Sequence, residues 1–137
     1  MSVSLADKGN YYRGLLILAR RDREIDPRER ELAIQLGMML DFDRRFCESA
    51  IDDALKNRHL SEEPIRFSDR ETAERFLRDG IRLALVDDKV TPREYAWLRA
   101  IGGANGIPDA WLGKEIKRCQ ESKASSGKPD LTSPGKS

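Results

Sequence analysis

The sequence has few of the features that mark common enzyme and membrane classes. It contains one histidine, His59, and two cysteines, Cys47 and Cys119, which match neither zinc-ligand spacing nor a Cys-x-x-Cys redox motif. Its longest purely apolar run, residues 15–19, is far too short to cross a bilayer. The first ten residues lack the basic and then apolar segments of a signal peptide. We therefore expect buried free thiols, no membrane span and a cytoplasmic protein.

An excess of one charge is also missing, because 25 Lys and Arg residues nearly balance 24 Asp and Glu residues. Five arginines lie between residues 20 and 31, but five acidic residues are interleaved with them. This pattern favours a self-compensated surface over one that binds nucleic acid. No serine or cysteine has an adjacent base in the sequence, so we expect a protein that is not an enzyme.

Alternating β-branched patterns are nearly absent, whereas apolar residues recur at helical spacing along most of the chain. The sequence therefore predicts an all-α domain of about six helices over residues 1–121. Residues 122–137 are rich in Ser, Gly, Pro and Lys, and we expect them to form a disordered tail. Helical spacing places four large side chains on buried faces: Met39, Phe46, Trp97 and Trp111.

Four helix starts carry residues whose side chains can accept hydrogen bonds from the first-turn N–H groups. In two of them Pro27 and Pro92 follow the cap, at a position that loses nothing by lacking an N–H. Glu29, Glu71 and Glu94 stand where the return arm of a capping box belongs. The predicted N-caps are Asp26, Asp43, Ser68 and Thr91.

The sequence repeats itself with an offset of 65 residues. The tripeptide Pro-Arg-Glu at 27–29 recurs at 92–94, and the apolar positions of the two copies coincide. This predicts two three-helix repeats, about 7–56 and 68–121, that pack face to face about an approximate twofold axis. The alternative is chance similarity, because caps and apolar spacing recur in many amphipathic helices.

The stretches "LARRDREIDPRE" and "LALVDDKVTPRE" resemble the repeated motif of the TerB-like helical domains. That family is named for tellurite-resistance proteins and is related to the N-terminal region of some membrane-anchored J-domain co-chaperones. The likeness covers about Tyr11 to Cys119, although Arg23 and Asp88 stand where the motif has glycine. The resemblance implies an all-helical scaffold or sensor of bacterial stress-response systems, with no known catalysis.

The resemblance also implies acidic positions that bind a divalent cation, which here are Asp22, Glu29, Asp87 and Glu94. From the residues alone, each Asp could instead bond the backbone of a turn while each Glu serves a helix cap. If the twofold axis brings the four carboxylates together, they offer the hard oxygen ligands that Mg²⁺ or Ca²⁺ requires. Neither stretch is an EF-hand loop, because the central glycine and the terminal glutamate spacing are missing.

Together these patterns predict a non-enzymatic interaction or scaffold module that needs no cofactor and binds an unidentified protein partner. The paired acidic turns are its predicted working surface. The alternative is a divalent-metal-binding sensor or a metal-dependent hydrolase that uses the same carboxylates.

Overall fold

The computed structural model describes residues 4–19, 25–56, 63–87 and 89–127, with the backbone alone described for Asp87 and residues 124–127. These residues contain no strand, which confirms the all-α prediction. They form six α-helices and one short 3-10 helix, Leu85–Asp87. The helices are α1 (Leu5–Ala19), α2 (Pro27–Met39), α3 (Arg44–Lys56), α4 (Arg70–Ala84), α5 (Pro92–Ala104) and α6 (Asp109–Gly127).

Side-chain caps fix several of the helix starts. The carboxylates of Asp26 and Asp43 accept from the backbone N–H groups of Arg28 and Phe46, both at 2.7 Å, as predicted. Thr91 and Glu94 complete the predicted capping box at the start of α5. These contacts satisfy first-turn N–H groups that would otherwise lack intrahelical partners.

The predicted cap at Ser68 is wrong, because the N-cap of α4 is the next residue, Asp69. Asp69 accepts from the N–H of Thr72 at 2.7 Å. The backbone N–H of Ser68 instead donates to the buried carboxylate of Asp7 in α1, at 3.2 Å. A contact between distant parts of the chain therefore sets where this helix begins.

The centre of the molecule is the contact between α1 and α4. Helix α1 also packs on α2 and α3, whereas α4 also packs on α2, α5 and α6. One hydrophobic cluster runs through all six helices. Within it, Tyr11 and Phe76 are fully buried and meet edge to face across the α1–α4 contact.

The segment between α3 and α4 is held by one asparagine. Asn105, at the end of α5, donates to the carbonyl of Ile65 at 2.7 Å and accepts from the N–H of Phe67 at 2.8 Å. Because both Ile65 and Phe67 are buried, these bonds satisfy backbone groups that water cannot reach.

The helix bounds of residues 4–56, called here the first half, recur in residues 63–127, the second half. The pairs of starting residues that lie 65 apart are Leu5 and Arg70, Pro27 and Pro92, and Arg44 and Asp109.

The turns after α2 and α5 also correspond. Asp41 and Gly106 both have positive φ, at 72° and 73°. The carbonyl of Gly37 accepts from Phe42 N–H at 3.1 Å, and that of Gly102 accepts from Ile107 N–H at 2.8 Å. Each of these three pairs of positions is separated by 65 residues.

Two predicted core positions are wrong, because Met39 is 62% exposed and Phe46 is 48% exposed. Trp97 and Trp111 are partly buried and pack against the core. Helix α6 continues past residue 121, where the sequence predicts a disordered tail, and residues 128–137 lie outside the described residues. None of the described helices is long and apolar enough to cross a membrane.

Candidate functional site

The two acidic turns are the first candidate site. Glu29 and Glu94 occupy equivalent positions in the first turns of α2 and α5, and both are buried, at 3% and 7% exposure. The Oε1 atom of Glu94 accepts from the N–H of Thr91 at 2.9 Å, as the arm of a capping box. Asp22 and the side chain of Asp87 lie outside the described residues, as do His59 and the arginines between 20 and 24.

The predicted metal site at Asp22, Glu29, Asp87 and Glu94 therefore stays a prediction. Within the described part of the chain, no group of three or more His, Cys, Asp or Glu side chains could hold a metal ion. The burial of Glu29 and Glu94 has a consequence for the interaction hypothesis, because a buried side chain does not contact the surface of a partner. The acidic turns are for this reason a weaker docking surface than the sequence suggests.

A groove between α1 and α3, with a volume of about 320 Å³, is the second candidate site. Positions of α1 at helical spacing form one wall: Gly9, Tyr12, Arg13 and Leu16. The other wall comes from α3 and the residue before it: Phe42, Phe46, Ser49, Ala50, Asp53 and Ala54. We call this cavity the α1–α3 groove.

Aromatic side chains make up one end of the α1–α3 groove. The rings of Phe42 and Phe46 lie 4.8 Å apart, and that of Tyr12 lies 5.7 Å from Phe42. The Tyr12 hydroxyl donates to the carbonyl of Ala33 at 3.1 Å, so its polar atom is satisfied inside the core. Phe46 leaves nearly half of its surface in water, which is typical of a side chain that a ligand or partner covers.

The two walls of the groove carry opposite charges. Arg13 lies on the α1 wall, whereas the exposed Asp53 lies on the α3 wall. Apart from these two residues and the hydroxyl of Ser49, the lining is mostly apolar. An apolar floor with a few polar groups at its edge is the usual composition of a binding cleft.

The equivalent place in the second half is occupied by the protein's own side chains. Arg78, which lies 65 residues after Arg13, stacks over the indole of Trp111 at 5.2 Å. The Arg78 Nε donates to the carboxylate of Glu115 at 3.1 Å, and Arg118 donates to the same carboxylate at 2.7 Å. Burial alone would raise the pKa of Glu115, but hydrogen bonds from Arg118 and Arg78 hold it below its ordinary value.

Two small residues leave the first half open at this place. Ala50 stands at the position of Glu115, and Gly9 stands at the position of Glu74. Sequence reasoning missed the groove, since it arises from side chains that are short. A comparison of the two halves residue by residue would have flagged it, because both differences replace a glutamate by the smallest residue types.

A buried polar pair inside the core was also missed. The Tyr11 hydroxyl donates to the Oδ2 atom of Asp79 at 2.5 Å, and Arg82 lies 3.4 Å from the same carboxylate. Burial raises the pKa of Asp79, although Tyr11 and Arg82 act in the opposite direction. Burial and the neighbouring Asp79 raise the pKa of Tyr11. Because both side chains are shielded from water, this pair joins α1 to α4 and does not form an open reaction site.

Comparison with protein-family models, with curated proteins and with solved structures finds no match to this chain. The TerB-like resemblance therefore stays a prediction from the two sequence motifs.

Proposed function

We propose that this protein is a non-enzymatic interaction module that docks a protein partner in the α1–α3 groove. The observation that carries the proposal is the difference between the two halves. Trp111, Arg78 and Glu115 fill the place in the second half, whereas the first half leaves a groove beside the half-exposed Phe46. A cleft with an exposed aromatic side chain and charged walls is suited to a protein ligand.

The proposal includes the origin of the chain as a duplicated three-helix unit, with α1 and α4 in contact near the axis that relates the copies. The constant offset of 65 residues between helix starts supports it. The matched positive-φ turns at Asp41 and Gly106 support it independently, because such turns are uncommon and chance similarity does not require them at equal spacing.

A role in bacterial stress response, as in the TerB-like family, belongs to the same proposal and rests on the sequence motifs alone. The divalent-metal sensor or hydrolase has less support, because Glu29 and Glu94 are buried and one of them serves a helix cap. A thermal-shift titration with Mg²⁺ and Ca²⁺, described in the Discussion, decides between the two functions.

Site-specific crosslinking tests the groove as the docking surface. A photo-reactive amino acid would replace Ser49, which lines the groove, or, as the control, Lys117, which is exposed on α6. We expect one discrete crosslinked protein from a lysate of the source cells with the probe at 49 and none with the probe at 117. Equal capture at both positions, or no capture at either, would contradict the proposed function.

A further inference from the structure

We infer that the partner of the α1–α3 groove is an amphipathic helix that brings a carboxylate to Arg13 and a large apolar side chain to Phe42 and Phe46. This inference rests on the proposed function and deepens it, since it names the chemistry of the partner. It is argued from the second half of the same chain, where the equivalent place is already filled.

The second half shows which groups this place accepts. Arg78 uses its flat face for the indole of Trp111 and its Nε for the carboxylate of Glu115. A guanidinium combines these two contacts well, because it stacks on aromatic rings and also donates hydrogen bonds to carboxylates in its own plane. Arg13 is the residue at the corresponding position of the first half.

The first half lacks two parts of this arrangement. No carboxylate projects from position 50, which is alanine, and Phe46 has a smaller ring than Trp111. The groove of about 320 Å³ is at the lower end of the size range of ligand pockets. Its volume suits one or two large side chains of a partner better than an extended cofactor.

The charges on the two walls define how a helix would lie in the groove. Arg13 calls for an acidic residue on one side of the partner's apolar stripe, and Asp53 calls for a basic residue on the other. A helix that presents an aromatic or branched aliphatic side chain between an acid and a base satisfies both walls. This is the helix-in-groove mode, in which anchors at helical spacing enter an apolar cleft.

The chain's own C-terminal segment does not have this chemistry. Residues 128–137 contain one large apolar side chain, Leu131, and no aromatic residue. The segment also contains Pro129 and Pro134, which are unfavourable inside a helix. A helix from another protein meets the requirements of the groove better.

A designed peptide tests the inference on the full chain. The probe is a hydrocarbon-stapled helix with tryptophan, a glutamate four residues later and a lysine on the opposite flank, labelled for fluorescence anisotropy. The matched peptide has lysine in place of that glutamate. We expect the acidic peptide to bind about fivefold more tightly than the matched peptide. The variant Arg13→Glu should reverse this preference, whereas the exposed control Lys117→Glu should leave it unchanged.

A second variant tests the location of binding. Ala50→Glu places in the first half the carboxylate that Glu115 supplies in the second, so we expect it to weaken the acidic peptide at least tenfold. Unchanged NMR amide spectra away from α1 and α3 would show that the variant folds. Binding that survives Ala50→Glu would place the peptide elsewhere and overturn the inference.

Two further outcomes separate this inference from the proposed function. Equal affinity for both peptides, lost in Ala50→Glu, would overturn the partner chemistry and leave the groove as a docking surface. A concentration-dependent dimer that dissociates in Ala50→Glu would overturn the inference in favour of a second copy of this chain. If neither peptide binds, the inference is overturned, and the crosslinking from Ser49 decides separately whether the groove docks a partner.

Discussion

The ring of Tyr11 meets the ring of Phe76 edge to face, with centroids 5.3 Å apart and planes at 90°. These two residues lie 65 positions apart, so the same position of each half contributes one ring to the α1–α4 contact. The geometry is one that aromatic pairs prefer, and such a pair contributes about 0.5–1.5 kcal/mol beyond its buried area. The Tyr11 hydroxyl extends the contact to Asp79, which has no acidic counterpart in the first half because residue 14 is glycine.

The first prediction concerns the charge on Asp79. Because its folded pKa is raised, the folded state favours the protonated form, and ionisation at neutral pH costs stability. Asp79→Asn keeps an acceptor for Tyr11 and removes the charge, so we expect it to be more stable than wild type at pH 7. The advantage should shrink as pH falls from the raised folded pKa through the ordinary value of 3.8, because the wild-type carboxyl is then also neutral.

Urea unfolding at several pH values measures this difference. The control is Asp79→Ala, which leaves the buried Tyr11 hydroxyl without this acceptor and should cost about 1–3 kcal/mol. An Asn variant whose stability relative to wild type does not change with pH would contradict the assignment of a raised pKa to Asp79.

The second prediction concerns the two positive-φ turns. Gly106 adopts its φ of 73° at no steric cost, whereas Asp41 adopts 72° with a side chain. We expect Asp41→Gly to raise the free energy of unfolding by about 0.5–1 kcal/mol and Gly106→Ala to lower it by about 1 kcal/mol. A Cβ at position 106 meets nothing within 4 Å, so backbone strain alone would account for the loss.

Asp41→Asn is the control for this pair of variants. It removes the exposed ion pair between Lys8 and Asp41 and keeps a residue that tolerates the left-handed region. Its effect should stay within about 1 kcal/mol, because exposed ion pairs contribute little. Opposite signs for Asp41→Gly and Gly106→Ala in chemical denaturation are the expected result, and equal signs would refute the explanation.

The third prediction concerns the close approach of α1 to α4 at Gly14. A Cβ there would lie 2.6 Å from the Phe76 ring and 2.8 Å from Ile65. Because both neighbours are buried and closely packed, we expect Gly14→Ala to destabilise the protein by about 1–3 kcal/mol. Gly103→Ala is the matched control, since that helical glycine has open space, and it should stabilise by about 0.5–1 kcal/mol. A neutral Gly14→Ala would mean that α1 and α4 are less closely packed than described.

The fourth prediction separates helix capping from metal binding at Glu94. Its Oε1 atom accepts the N–H of Thr91, so Glu94→Ala should lower the free energy of unfolding by about 1 kcal/mol. We expect the same loss with Mg²⁺, with Ca²⁺ and with a chelator. Thermal unfolding of wild type and variant in each condition provides the measurement. A saturable rise in melting temperature that disappears in Asp22→Asn plus Asp87→Asn would instead support the metal sensor.

Much of the fold could be predicted because local chemistry decides it. The caps at Asp26, Asp43 and Thr91 depend on residues within three positions along the chain, and the structure confirms all three. The cap of α4 could not be predicted in the same way, since Ser68 and Asp69 are both good capping residues. The distant carboxylate of Asp7 engages the Ser68 N–H, and no local pattern contains that contact.

The buried faces were predictable only in part, for a related reason. Helical periodicity indicates which side of α3 is apolar, but it does not show how far the neighbouring helix covers that side. Phe46 lies on the apolar side of α3 and is nonetheless half exposed. The Asp79 carboxylate has the opposite history, because a charged residue between two arginine-bearing turns of α4 suggests solvent, and only its contact with Tyr11 explains its burial.

The candidate site depends on differences between the halves, which a search for similarity passes over. The repeat was found from positions that match, whereas the groove follows from Ala50 and Gly9, which do not match Glu115 and Glu74. The acidic turns attracted attention because they recur, and recurrence is equally expected of residues that cap a helix or complete a turn. Repetition in this chain is thus a guide to folding, and divergence is the better guide to binding.

The closure of the second half by Trp111, Arg78 and Glu115 limits the valence of the molecule. A duplicated domain with two open grooves would bridge two identical helices and could crosslink them into larger assemblies. With one open groove, a chain engages one such helix through this surface and forms a complex of one to one stoichiometry. Assemblies of higher order would then require either a different surface or the pairing of two chains.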